Sequence, residues 1–265
     1  MNRFGYYDPT SVQKAAGIAE DKRDARYLAG GQSLLPAMRL RLHSPTDLID
    51  LGQIADLRGI KVEGNAITVG SMAAHAEVCS SAEVKSRIPA LALLASLIGD
   101  RQVRTRGTLG GSIANNDPAA DYPAAALGLG AVINTSQRKI AADDFFKGLF
   151  DTALGPGELI VSVTFPIPKK AGYAKFKNPA SRFAIAGVFV AQTANGARVA
   201  VTGAGANGVF RATAMEAALA KSWSPQSVKG ILPEAGEMLS DLHASAEYRA
   251  HLVTVMAQRA VANAA

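Results

Sequence analysis

The sequence predicts an α+β protein, and three observations predict it. Near the N-terminus a strand-like run, a Gly-Gly turn, an apolar helical pattern and a second strand-like run follow one another in RYLAGGQSLLPAMRLRLHSPTDLIDL. Further on, alternating runs flank the turn dipeptides Gly64-Asn65 and Asn195-Gly196, the strongest short-range signal for an antiparallel hairpin. The C-terminal stretch then changes to helical spacing.

Taken in order, residues 10–20 (TSVQKAAGIAE) open with a Thr or Ser able to cap a helix, and Val12, Ala15, Ala16 and Ile18 recur at helical spacing. RYLAG is a short strand, SLLPAMRLRL a helix with an early proline, and TDLIDL a second strand. A strand, crossover helix and strand of this length make a parallel pair, and ligands favour the loop at the carboxyl end of the first strand. GIKVEGNAITVG, residues 59–70, is a hairpin about Gly64-Asn65. Helices are expected near 73–79 and 89–99, where IPALALLASLIG is apolar almost all round and belongs in the interior. A Gly-rich loop, TLGGS, follows, then the strand AVIN, the helix AADDFF, and the strand ELIVSVTFPIP closed by two prolines. The Pro-Lys-Lys segment after it marks a domain boundary at about residue 169. Beyond it, YAKFKNPASRFAIAGVFVAQTANGARVAVTGAG holds three strand-like runs, and the tail is helical over 211–220, about 225–239 and 244–262.

The 265 residues suffice for one large domain or two to three small ones. No apolar run approaches the roughly 18 residues that span a bilayer, and MNRFGYYDPT lacks the apolar core of a signal peptide, so a soluble, cytoplasmic chain is expected. The single cysteine, Cys79, excludes an intramolecular disulfide and leaves no thiolate set for an iron–sulfur cluster or zinc site on this chain. The net charge is +6, but the 28 Lys and Arg are dispersed and aromatics are only 6%, which is not the footprint of a nucleic-acid binder. One local concentration, Arg101, Arg104 and Arg106, stands directly before TLGGS.

Three glycine segments compete for attention. Gly203-Ala-Gly205-Ala-Asn-Gly208 matches the GxGxxG spacing, yet it follows a strand committed to a hairpin and no acidic strand end lies about twenty residues on. It is therefore a turn. In AGGQS, Gly30 and Gly31 let backbone N–H groups approach a ligand, while Gln32 and Ser33 add donors at a helix start, a setting for phosphate. TLGGS repeats that chemistry, with Thr108 and Ser112 flanking Gly110 and Gly111. Two phosphate-sized cradles imply a diphosphate, and so a nucleotide cofactor held by neither a Walker nor a Rossmann loop. Asp117 and Asp121, four apart in DPAAD, share a face if helical. Capping, a solvated pair, an acid–base pair, or acceptance from a ribose or ring N–H all stay open, whereas a metal lacks further ligands. His43, His75, His243 and His251 read as surface or capping residues, Trp223 as a staple for the C-terminal helices, and Cys79 as an inert core residue.

YLAGGQSLLPAMRLRL, RTRGTLGGSIANNDPAADYPAA, GELIVSVTFP, YAKFKNPASRFAIAGVFVA and DLHASAEYRAHLVTVMAQRA, taken in order over nearly the whole chain, resemble the FAD-binding medium subunit of the molybdenum hydroxylases. That family includes the carbon monoxide dehydrogenase medium chain and the flavin domain of xanthine dehydrogenase. The resemblance implies a vanillyl-alcohol-oxidase (PCMH) type FAD-binding fold. Its parts would be an α/β subdomain over 1–58, an α+β subdomain over 59–169, and a C-terminal three-stranded antiparallel sheet with helices over 170–265. It implies non-covalent FAD whose diphosphate is cradled by Leu28, Ala29, Gly30, Gly31, Gln32, Ser33 and Leu34 and by Thr108, Leu109, Gly110, Gly111 and Ser112. Asp121 would hold the ribityl or adenosine part, with Asp117 in the same motif; Ile160 and Lys175 would lie near the flavin, and Phe183 would shield one ring face. Relatives often carry an acidic residue before the AIAGV strand where this chain has Arg182-Phe183, so the resemblance does not fix the flavin contacts or the acceptor there. No catalytic acid, base or metal ligand is implied on this chain. The implied role is electron transfer from a [2Fe-2S] partner through FAD to an external acceptor, with hydroxylation on a molybdopterin subunit. The partners would be a small iron–sulfur subunit and a large molybdopterin subunit, assembled as a dimer of heterotrimers, with no nucleic acid and no membrane span. A stand-alone FAD oxidoreductase of the same fold and a flavin-free scaffold are the rival readings. Substrate and acceptor are not legible.

Overall fold

A computed structural model describes residues 2–22 and 24–265. The N-terminal unit runs β1 (Gly5–Tyr7), α1 (Val12–Asp21), β2 (Ala25–Leu28), α2 (Leu34–Arg39) and β3 (Asp47–Asp50). Ser11 caps α1, its hydroxyl accepting from the Lys14 N–H at 3.3 Å. β2 and β3 are parallel, as the crossover helix requires, and β1 joins the other edge of β3, also parallel. At three residues β1 is too short to show alternation, so no periodicity announced it. A small core of Ala15, Ile49, Leu51, Ile54 and Leu57 closes the unit.

The middle unit opens with the expected hairpin, β4 (Ile60–Glu63) and β5 (Ala66–Gly70), with Gly64 in the loop at φ +58°. Then come α3 (His75–Ser80), α4 (Ala82–Arg87), α5 (Pro89–Ser96), α6 (Arg101–Arg106), α7 (Leu109–Asn115) and α8 (Tyr122–Leu129). They are followed by β6 (Val132–Thr135), β7 (Lys139–Ala141), α9 (Ala142–Phe145), β8 (Phe146–Gly148), β9 (Asp151–Thr152) and β10 (Ile160–Pro166). The main sheet is antiparallel in the order β4-β5-β10-β6-β7.

Here one expectation is corrected. TLGGS is not a loop but the first turn of α7, capped by Thr108, whose hydroxyl accepts the Gly111 N–H at 3.2 Å. Two helical glycines cost roughly 1 kcal/mol each relative to alanine, but the cap and the complete burial of Leu109 and Ile113 offset that.

The C-terminal unit contains β11 (Lys170–Lys177), β12 (Ala184–Thr193), β13 (Gly196–Thr202), β14 (Phe210–Arg211), α10 (Thr213–Lys221) and α11 (Ala246–Ala262). Its antiparallel sheet has the order β11-β12-β13-β14, so the expected three strands gain a fourth of two residues. The Asn-Gly signal does mark the hairpin, but the loop is Ala194-Asn195: Thr193 pairs with Gly196, which takes φ +114° as the first strand residue. The helix expected over 225–239 is instead two single 3₁₀ turns, Pro225–Val228 and Ala235–Glu237. Gly230 at φ +80° and Pro233 break the segment between them. The GxGxxG segment is a strand-ending turn, as read. Gly203 sits at φ +80° where a Cβ would collide with the Ala184 carbonyl oxygen.

The largest core joins two units across residue 169. Leu91, Leu94, Tyr122 and Phe165 of the middle unit and Tyr173, Phe189 and Ala200 of the C-terminal sheet belong to one cluster. All eight residues of α8 are buried. Among the described residues no helix is long and apolar enough to cross a membrane, and no group of three or more His, Cys, Asp or Glu could hold a metal.

Candidate functional site

The fold brings AGGQS and TLGGS together. AGGQS leaves the carboxyl end of β2 and enters α2, while TLGGS lies at the α6–α7 junction. A Cβ on Gly30 would collide with the Arg106 carbonyl oxygen and stand 2.8 Å from Gly107 Cα; one on Gly111 would stand 3.6 Å from Ala29 Cβ. Gly30 serves an approach between two backbones, whereas at Gly111 the tight contact is with the Thr108 hydroxyl, 2.9 Å from a Cβ. Gly31, at φ +71°, turns the chain into α2.

The two segments use their backbone donors differently. Among the described residues, the N–H groups of Gly30, Gly31, Gln32, Ser33 and Leu34 have no hydrogen-bond partner in the protein. Ser33 stands at the cap position of α2 without making a cap bond. The result is a row of unengaged donors at a helix start, on a half-exposed turn, which is the donor set an anionic phosphate takes. In TLGGS the donors are engaged: Leu109 N–H to Ala73 O at 3.0 Å, Gly110 N–H to Ser71 O at 2.8 Å, Gly111 N–H to Thr108 Oγ1, and Ser112 N–H to Thr108 O at 3.1 Å. Gly110 is glycine because its Cβ would stand 2.8 Å from the Ser71 carbonyl oxygen and collide with Ser71 Cβ. The second cradle is thus a wall pressed against the first, with Thr108 and Ser112 as its polar side chains.

Asp117 and Asp121 do not share a helix face. Asp117 accepts the Ala119 N–H at 2.8 Å in a turn, and burial raises its carboxyl pKa. Asp121 precedes α8, is 3% exposed, and takes the Tyr173 hydroxyl at 2.5 Å and the Lys175 ammonium at 2.9 and 3.0 Å. Burial raises the Asp121 pKa, and Lys175 and then Tyr173 oppose that rise. Lys175 also donates to the Leu97 carbonyl at 3.1 Å, so Asp121 and Lys175 face each other and the protein interior. The sequence reading named Lys175 and missed Tyr173, though residues two apart on a strand share a face and that spacing was the available signal. Ile160 is also an interior residue, 3% exposed in the largest core.

Phe183 is 49% exposed and follows Arg182, which holds φ +63°. With Asp117, Asn178, Ser181, His243 and Arg249 it lines a cavity of about 200 Å³. Arg182 donates to the Gly99 carbonyl at 3.1 Å, and Arg104 donates to those of Ile98 and Gly99, both at 3.1 Å. Lys175, Arg104 and Arg182 therefore gather on the carbonyls that follow α5, where a helix C-terminus favours cations. Arg101 and Arg106 are exposed.

The surface reading of His75 is corrected. It is 5% exposed, stacks on Tyr122 with ring centroids 5.3 Å apart, and leaves Nδ1 without a partner among the described residues. Burial, with Arg104 nearby, lowers its pKa to about 4, so the ring is neutral near pH 7. His43, His243 and His251 are exposed. Trp223 packs against the C-terminal core with Lys170 over its ring, and Cys79 is half-buried against the largest core.

Known proteins resemble this chain in sequence and in fold. Residues 2–168 match the model described as the FAD binding domain in molybdopterin dehydrogenase, and residues 171–264 that of the CO dehydrogenase flavoprotein C-terminal domain. The chain is 35% identical to the carbon monoxide dehydrogenase medium chain of Hydrogenophaga pseudoflava, over 98% of this chain and 96% of that one. It is 33% identical to the nicotine 6-hydroxylase medium subunit of Paenarthrobacter nicotinovorans, with 98% and 96% covered. It superposes with a TM-score of 0.88 and 35% identity on a chain of the solved carbon monoxide dehydrogenase from Hydrogenophaga pseudoflava that lacks the Mo-pyranopterin moiety of its cofactor, covering 98% of this chain and 96% of that one.

Proposed function

Because the chain belongs to the FAD-binding family of molybdopterin dehydrogenases, we propose that it is the FAD-binding electron-transfer subunit of a multi-subunit molybdenum hydroxylase. The observation that carries the reading is the row of unengaged amides from Gly30 to Leu34, walled by Thr108–Ser112 across a Gly30–Gly107 contact that admits no side chain. That donor set fits a diphosphate. Ser33, Thr108 and Ser112 add hydroxyls, and the start of α2 adds a favourable dipole. Phe183, which with Asp117 lines the cavity of about 200 Å³, would shield the redox ring.

FAD, when bound, would supply the redox chemistry between an iron–sulfur partner and an external acceptor. The chain's own residues bind, orient and shield. Asp121, Tyr173 and Lys175 fix β11 against the start of α8, and Arg182 holds the loop before β12 onto Gly99. The fold we propose is the vanillyl-alcohol-oxidase type, with subdomains over 1–58, 59–169 and 170–265. The partners we propose are a small [2Fe-2S] subunit and a large molybdopterin subunit in a dimer of heterotrimers. We place the assembly in the cytoplasm, in keeping with a chain of one cysteine.

The test is the visible spectrum of the chain purified alone and with the products of its neighbouring genes, followed by chromatography of released cofactor. Stoichiometric FAD, reduced by substrate only in the presence of both the molybdopterin and the iron–sulfur partners, is the expected result. FAD reduced by substrate in the isolated chain would favour a stand-alone oxidoreductase. A protein colourless in both preparations, and still colourless after incubation with FAD, would favour a scaffold.

A further inference from the structure

We propose that His75 is a positioning residue for the FAD diphosphate: its imidazole sets where residue 107, and with it the start of α7, stands against the Gly30–Leu34 amides. The proposal rests on the FAD reading above and deepens it. Gly107 has φ −60° and ψ 140°, a conformation open to any residue, so backbone geometry does not require glycine there. What requires it is the His75 ring. A Cβ on residue 107 would stand 2.6 Å from His75 Nε2 and 2.9 Å from Cδ2; the next nearest atom, Val103 O, is 3.1 Å away. The His75 N–H meanwhile donates to the Gly107 carbonyl at 2.9 Å, binding the two residues at a second point.

Residue 107 is also the place where Gly30 touches the second segment, through Gly107 Cα and the Arg106 carbonyl. Imidazole, the 106–107 peptide and the AGGQS turn thus form a stack from which side chains are missing at both glycine positions. The ring is closely enclosed and leaves Nδ1 unbonded among the described residues. The atoms that would meet a Cβ at residue 107 are the ring's Nε2 and Cδ2, so it is the bulk of the ring against residue 107 that the stack uses.

A double-mutant cycle on the full chain tests this, with FAD affinity measured by quenching of flavin fluorescence and unfolding measured without FAD. Gly107→Ala should weaken FAD binding about tenfold or more, and His75→Ala about threefold. In the double variant the methyl group added at residue 107 enters the space the ring has left, and affinity should return to that of His75→Ala, about threefold below the wild type. Additive losses would overturn the proposal. So would coupling that appears in unfolding but not in FAD affinity, because that would make His75 structural only. If Gly107→Ala does not fold, the double variant decides: folding with FAD binding supports the stack, and absence of either overturns it. A wild-type chain that binds no FAD would overturn the functional reading and this inference together, whereas failure of the cycle in a wild-type background that binds FAD would overturn the inference alone.

Discussion

AGGQS and TLGGS look alike as sequences and differ as structures. In the first, the glycines free the backbone: Gly31 turns at φ +71°, Gly30 meets another backbone, and the N–H groups of Gly30 to Leu34 remain unengaged among the described residues. In the second, the glycines let a helix pack, and the N–H groups of Leu109 to Ser112 are bonded to Ser71, Ala73 and Thr108. Glycine pairs mark close approach, and which partner approaches, ligand or protein, depends on where the donors go.

Four measurements break or sharpen that contrast. The largest effect belongs to Gly30→Ala, whose Cβ meets backbone atoms that have little freedom to move. It should destabilise the chain by about 3 kcal/mol and abolish FAD binding. Chemical unfolding with FAD titration checks it, and an unchanged variant would mean that the two segments do not touch. Next comes pH. His75 is depressed to about 4 when folded and titrates near 6.5 when unfolded. Its contribution is therefore complete above pH 6.5 and is lost as pH falls toward 4, by about 3 kcal/mol in all. Urea unfolding from pH 7 to 4 should show that slope, and His75→Ala should flatten it.

The two smaller effects separate the segments directly. Thr108→Ala removes the cap of α7 and should lower stability by about 1 kcal/mol. Ser33→Ala removes no protein bond, so stability should stay within about 0.5 kcal/mol while FAD affinity falls about fivefold. Both are read from one unfolding curve and one FAD titration each. Equal losses of stability in the two variants would erase the distinction between cradle and wall.

The sequence carried what local chemistry encodes. The β2–α2–β3 crossover, both hairpins, the Ser11 cap and the buried α5 follow from period, turn residues and caps, each decided within a few residues of itself. Of the proposed site, the sequence showed the two glycine segments, whereas Lys175, which it also named, is buried against Asp121 and the Leu97 carbonyl. The structure decided what depends on atoms far apart in the chain. TLGGS is a helix start packed where Ser71 and Ala73 receive its donors, and Asp121, at the start of α8, is closed off because Tyr173 and Lys175 reach it from the C-terminal sheet. His75 is interior because α3 turns it onto Tyr122 and Gly107, which no spacing around residue 75 announces. Periodicity and capping act over one or two turns of chain, whereas the engagement of a donor or the burial of a charge is fixed only when distant segments pack, and so only the folded molecule determined which of two matching glycine pairs has amides unengaged among the described residues.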